Sequence, residues 1–113
     1  MECGLACFAM IADFYSVKVS LNDLRNLYPA PREGFSFLNL QEIAENYSFN
    51  VDAYEVSIEE LKHIALPCII QWGNNHFVVL EEINKNYNII VDPNRGKIKI
   101  KQEDFEKNIL VLL

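Results

Sequence analysis

Three cysteines and two histidines are the side chains in this sequence that can attack carbon or move protons near neutral pH. The first cysteine, Cys3, is followed by Gly4 and opens a run to about Tyr15 that is rich in Leu, Ala, Phe, Met and Ile and free of proline. Such a run reads as a buried helix. A cysteine at a helix N-terminus sits among backbone N–H groups that have no partner within the helix, at the positive end of the helix dipole. That setting favours the thiolate, which is the reactive form of the thiol. The same N–H groups can receive the oxyanion that forms when a thiolate adds to a carbonyl. The chemistry on offer is therefore acyl transfer. Cysteine is also a small hydrophobe common in cores, so the argument needs a base.

His76 supplies a candidate. It opens the run His76-Phe77-Val78-Val79-Leu80-Glu81, which reads as a strand, and Asn84-Lys85-Asn86 turns the chain into a second strand, Tyr87 to Asp92. A hairpin centred near Lys85 sets His76 opposite about Asn94. Asp92 then lies on the same strand face as that point, diagonal to the imidazole. A slip of one residue in register would separate them. A carboxylate beside an imidazole fixes its tautomer and steadies its charged form. Asp92-Pro93 is also an ordinary way to begin a turn. Cys7, one helical turn beyond Cys3, raises zinc as an alternative, but His63 and His76 lack ligand spacing to each other and to the cysteines. Cys7 and Cys68 read as core residues, and His63 as a solvated residue on the polar side of a short helix.

These groups must be carried by definite elements. Ser20 begins a helix with leucines at Leu21, Leu24 and Leu27. Pro29, Pro31 and Gly34 punctuate a loop. Ser36 or Asn39 caps a third helix through about Tyr47, and Val51 to Glu55 reads as a short strand. Ser57-Ile58-Glu59-Glu60 is a capping box opening a helical turn through Ile64. Strands follow at Cys68 to Trp72, His76 to Glu81, Tyr87 to Asp92, Lys97 to Lys101 and Ile109 to Leu113, with a turn at Gly73-Asn74-Asn75 and a helical turn from Gln102 to Lys107. Helices first and antiparallel strands afterwards make an α+β arrangement. A length of 113 residues makes it a single domain, residues 1–113.

Composition excludes other classes. Sixteen acids against ten bases give a net charge of -6, which argues against a nucleic-acid surface. Lys97, Lys99 and Lys101 alternate with isoleucine and read as the wet face of one strand. No apolar run is long enough for a membrane span. The start carries no basic segment of the kind that opens an export signal, and an odd cysteine count in such a chain favours a reducing cytoplasm over a disulfide scaffold.

Taken together, Glu2-Cys3-Gly4-Leu5-Ala6-Cys7-Phe8-Ala9-Met10-Ile11-Ala12, Asn75-His76-Phe77-Val78-Val79-Leu80 and Val91-Asp92-Pro93 with Gly96 resemble the bacteriocin-processing peptidase family. In that family a papain-like domain at the cytoplasmic N-terminus of peptidase-containing ABC transporters cleaves leader peptides after a double-glycine motif. The transporter then exports the product. The resemblance runs over essentially the whole chain. It implies a papain-like α+β fold with N-terminal helices packed on a C-terminal antiparallel sheet. It implies Cys3 as nucleophile, His76 as base and Asp92 as orienting acid, with no cofactor or metal. The implied partners are a leader peptide, held in a groove remote from the thiol, and the membrane and ATP-binding parts of a transporter. The family also uses a glutamine shortly before the nucleophile to complete the oxyanion hole. That residue is not in this sequence, and Gln41 and Gln71 are the nearest of their kind. Loss of one such donor typically costs about 10²–10³ in rate, so the resemblance implies either a piece of a longer chain that carries the glutamine, or a weakened peptidase or leader-binding domain without catalysis. Ser16 stands where the family usually has glycine.

Overall fold

The computed structural model describes residues 3–32, 34–72, 76–104 and 108–112, with the backbone alone at 58 and 108–112. Helices α1 (Cys3–Phe14), α2 (Leu21–Leu27) and α3 (Phe37–Asn46) come first, then strand β1 (Ala53–Ser57) and the single turn α4 (Ile58–Leu61). Strands β2 (Cys68–Gln71), β3 (Phe77–Ile83), β4 (Tyr87–Asp92) and β5 (Gly96–Lys101), a 3₁₀ turn (Gln102–Asp104) and β6 (Asn108–Leu112) complete the chain. The expected turn at residues 73–75 and the end of the helical turn at 105–107 lie outside the described residues.

Capping sets where α2, α3 and α4 begin. Ser20, Ser36 and Ser57 each accept the N–H of the residue three positions on, and the side chains of Asp23, Asn39 and Glu60 accept the serine N–H in return. Both residues weighed for the third cap therefore take part: Ser36 is the cap and Asn39 closes the box. The C-termini of α1 and α3 share another device. Ser16 and Ser48 turn left-handed, at φ 62° and 68°. The next residues donate back into the helix, Val17 N–H to Ala12 O at 2.8 Å and Phe49 N–H to Ala44 O at 3.0 Å. This is the Schellman stop, at a position where glycine is the unstrained residue. Ser16 therefore holds a conformation that a Cβ disfavours.

The six strands form one antiparallel sheet in the order β1-β6-β2-β3-β4-β5. Alternation along β2 and β3 divides the apolar residues between two cores. Ile69, Phe77 and Val79 face the helices and pack with Leu5, Cys7, Phe8, Leu24 and Leu40. Cys68, Ile70, Val78, Leu80 and Ile90 face the other way, with Val56 and Leu61. The α+β reading and the helix-on-sheet packing agree with the sequence. β1 starts two residues later than expected, at Ala53 instead of Val51. Val51 packs on the helix-side core, and its carbonyl accepts the Gln41 side-chain amide at 2.9 Å, so it is held to α3 before pairing with β6 begins at Ala53.

Candidate active site

The hairpin of β3 and β4 pairs Val79 with Val91 and Leu80 with Ile90, the register expected from the turn position, and a bulge absorbs one residue beyond Leu80. Extended back towards the open end of the sheet, that register brings His76, just before β3, beside Asp92, the last residue of β4. His76 Nε2 and Asp92 Oδ2 are 3.1 Å apart. The imidazole is about a quarter exposed, at 26%, while the carboxyl is buried, at 7%. One backbone hydrogen bond, Trp72 N–H to His76 O at 2.8 Å, ties the histidine to the end of β2.

Asp92 holds the turn and the histidine at once. Its Oδ1 accepts the Asn94 N–H at 2.8 Å and its backbone carbonyl accepts the Arg95 N–H at 3.1 Å, while Oδ2 faces His76. Burial alone would raise its pKa. The hydrogen bonds from Asn94 and His76, with the nearby charges of His76 and Arg95, outweigh burial and hold the carboxyl below the usual carboxylate range. An ionised carboxylate only accepts hydrogen bonds, so the ring nitrogen facing it carries a proton. In the neutral imidazole this leaves Nδ1 bare and able to take a proton.

Cys3 is the first residue of α1, half-buried and packed against the helix-side core. α1 lies across β2 and β3, the strands that lead to His76. Cys7, one turn later, is fully buried, and its thiol is pushed up by burial and further by the neighbouring Cys3 and Asp92. Gly4 lets this first turn be closely covered. A Cβ there would stand 3.0 Å from Leu40 Cδ2 and 3.4 Å from Phe35 Cβ.

The remaining candidates separate cleanly. Cys68 is a core residue, its thiol pushed up to about 12 by burial. His63 is exposed just past α4. Among the described residues no cluster of ligand side chains could hold a metal ion. Gln41 is committed to the Val51 carbonyl, whereas Gln71, at the end of β2, shares the helix-facing side of the sheet with Ile69 and Phe77.

Two features add residues to those named from the sequence. Asn94 and Arg95 join the site because the turn after Asp92 folds back on it, a signal present in Asp92-Pro93-Asn94-Arg95-Gly96 but absorbed there into the turn. The second is an apolar groove of about 320 Å³ lined by Phe8, Ile11, Tyr15, Phe49, Val51 and Pro67, among others. Tyr15, just before the first left-handed stop, and Phe49, just after the second, meet edge-on at 6.1 Å.

The chain matches known proteins. The model of the Peptidase C39 family matches residues 1–111. The colicin V secretion/processing ATP-binding protein CvaB of Escherichia coli is 33% identical over 106 residues, covering 94% of this chain and 15% of that protein. The sublancin-168-processing and transport ATP-binding protein SunT of Bacillus subtilis (strain 168) is 35% identical over 115 residues, covering 93% and 16%. The chain thus spans a small part of the length of these curated relatives. A crystal structure of a double glycine motif protease from an AMS/PCAT transporter, in complex with the leader peptide, superposes with a TM-score of 0.90 at 36% identity, covering 99% of this chain and 82% of that one. The peptidase domain of Streptococcus ComA shares the fold, with a TM-score of 0.84 at 23% identity over 99% of this chain and 89% of that one. Matched along nearly its whole length by the family model and by a solved protease domain, the chain belongs to the Peptidase C39 family.

Proposed function

We propose that this chain is a single cysteine peptidase domain that removes the leader of a precursor peptide by cutting after a double glycine. It works at the cytoplasmic face of the membrane, together with an ABC transporter that exports the product. The observation that carries the reading is the His76–Asp92 pair, 3.1 Å apart at the open end of the β3–β4 hairpin, with Cys3 the first residue of the helix that packs on β2 and β3.

In this reading His76 Nδ1 takes the Cys3 proton, and the imidazolium is steadied by the Asp92 carboxylate. The thiolate adds to the carbonyl carbon after the second glycine, and the oxyanion is received by the backbone N–H of Cys3 at the helix N-terminus. Collapse breaks the C–N bond, leaving the acyl group on Cys3 as a thioester, while His76 gives its proton to the departing amine. Water, deprotonated by the same imidazole, hydrolyses the thioester. No cofactor is needed. The groove beside the C-terminal half of α1 takes the apolar face of the leader, as an amphipathic helix is taken by a groove. Among the described residues no helix is long and apolar enough to cross a membrane.

The test is a precursor with a double-glycine leader, followed by mass spectrometry, with wild type and Cys3→Ala compared. The expected result is one cut after the second glycine by wild type, none by the variant, and leader affinity within about twofold for the two. Cleavage surviving in the variant, or a cut elsewhere, overturns the assignment.

A further inference from the structure

A second cavity adjoins the His–Asp pair and has no part in the steps above. About 340 Å³ of space lies between Trp72, His76, Asp92, Arg95, Ile98 and Ile100. Its apolar wall belongs to the sheet face turned away from α1. Ile98 and Ile100 pack against the core on that face yet stay only half-buried, so part of the wall is open to an occupant. Its polar side is formed by the turn after Asp92, where Arg95 is exposed. Among the described residues Arg95 forms no ion pair. Its charge nevertheless reaches Asp92.

Building on the peptidase reading, we propose that this cavity holds the substrate segment just after the scissile bond and selects a carboxylate side chain within its first three residues. The chemistry fixes the direction. When the tetrahedral adduct collapses, the acyl carbon remains on Cys3 Sγ and the electron pair of the broken C–N bond goes to nitrogen, which takes the proton from His76. The departing amine must therefore stand against the imidazole. The chain that follows it leaves over the surface around His76, and the cavity is continuous with that surface because His76 and Asp92 line it. The leader groove lies along Phe8, Ile11 and Tyr15, further along α1 from Cys3, so a substrate entering from the groove crosses the thiol before it reaches the cavity. Trp72 and the two isoleucines offer an apolar surface, and Arg95 offers a cation for a carboxylate at its edge.

The test uses peptides identical through the leader and the double glycine, with Asp, Ser or Lys placed in turn at each of the first three positions after the cut. kcat/KM is measured at low salt for wild type and for Arg95→Glu. Wild type is expected to favour Asp over Lys by about threefold to fivefold at one position, the size of a surface ion pair. The preference should fade at high salt and invert in Arg95→Glu. Arg95 also acts on Asp92, so the variant changes the overall rate for every peptide, and the ratio between peptides reads the cavity alone. A ratio near one at all three positions, or one unchanged in the variant, overturns the inference and leaves the peptidase standing. If no peptide is cut in a Cys3-dependent way, the peptidase reading falls and takes the inference with it.

Discussion

In the proposed mechanism Asp92 serves structure and chemistry through separate atoms. One oxygen accepts the Asn94 N–H and starts the turn, and the other faces His76. A turn and an orienting acid are both readable from Asp92-Pro93 in the sequence, and the two roles use different atoms. Replacement by alanine removes both and leaves the ring unoriented, so kcat is expected to fall by about 10²-fold or more. Asparagine keeps an oxygen that accepts the ring N–H but loses the charge that steadies the imidazolium, so its loss should be smaller. Acid titration gives a separate readout. The Asp92 carboxyl is held below its ordinary range, so its stabilisation is complete above the unfolded value of about 3.9 and is lost as pH falls through the folded value. Thermal melts from pH 6 down to about pH 2 should show wild type well above Asp92→Asn at the upper end and the gap narrowing in acid. A gap independent of pH would show that the carboxylate is not held in its charged form by the fold.

At the scale of elements, the sequence was most legible where local chemistry decides the outcome. Three serines with a partner three residues on mark helix starts, and the structure has a capping box at each. The β3–β4 register was legible because a short turn leaves little freedom in the pairing, and it brought His76 to Asp92. The start of β1 was not legible, because a side chain from α3 holds the Val51 carbonyl, and nothing near Val51 in sequence announces this. The helix stops also carry more than their residue types suggest. A non-glycine residue in the left-handed region costs roughly 1–2 kcal/mol. Glycine relieves that strain but adds unfolded-chain entropy of about 0.4–1 kcal/mol. Ser16→Gly is therefore expected to stabilise the domain by about 0.5–1 kcal/mol, read as a higher denaturant midpoint with an unchanged slope. The same change at a helical position, Asn22→Gly, should destabilise by at least a few tenths of a kcal/mol, since it also removes the oxygen that accepts from Arg25. A stabilising effect at both positions would mean that the backbone conformation at Ser16 is not the cause.

In the proposed reading, the whole molecule separates recognition from reaction. The groove is assembled from the second half of α1, the stop after α3, and residues at the start of β2, segments distant in sequence that only the packing of helices on sheet unites. Residue spacing therefore could not show it, whereas the catalytic candidates were legible from a helix start and one hairpin. From Cys3 to Ile11 is about 12 Å along the helix axis at 1.5 Å per residue, too far for the Ile11 side chain to touch the Cys3 thiol. An acidic residue placed in the groove should thus weaken leader binding without altering the chemical step. For Ile11→Glu, KM on a full-length leader substrate is expected to rise about tenfold or more, since a charge facing an apolar leader must be desolvated or must displace it. kcat should stay within about twofold, because the lost interaction is present equally in ground state and transition state. A short peptide that keeps the double glycine but lacks the leader helix supplies the control. It never reaches the groove, so wild type and Ile11→Glu should cleave it with the same kcat/KM, which also shows that the variant is folded. A fall in kcat on both substrates would place Ile11 in the support of the catalytic helix, and the two surfaces would then have to be treated as one.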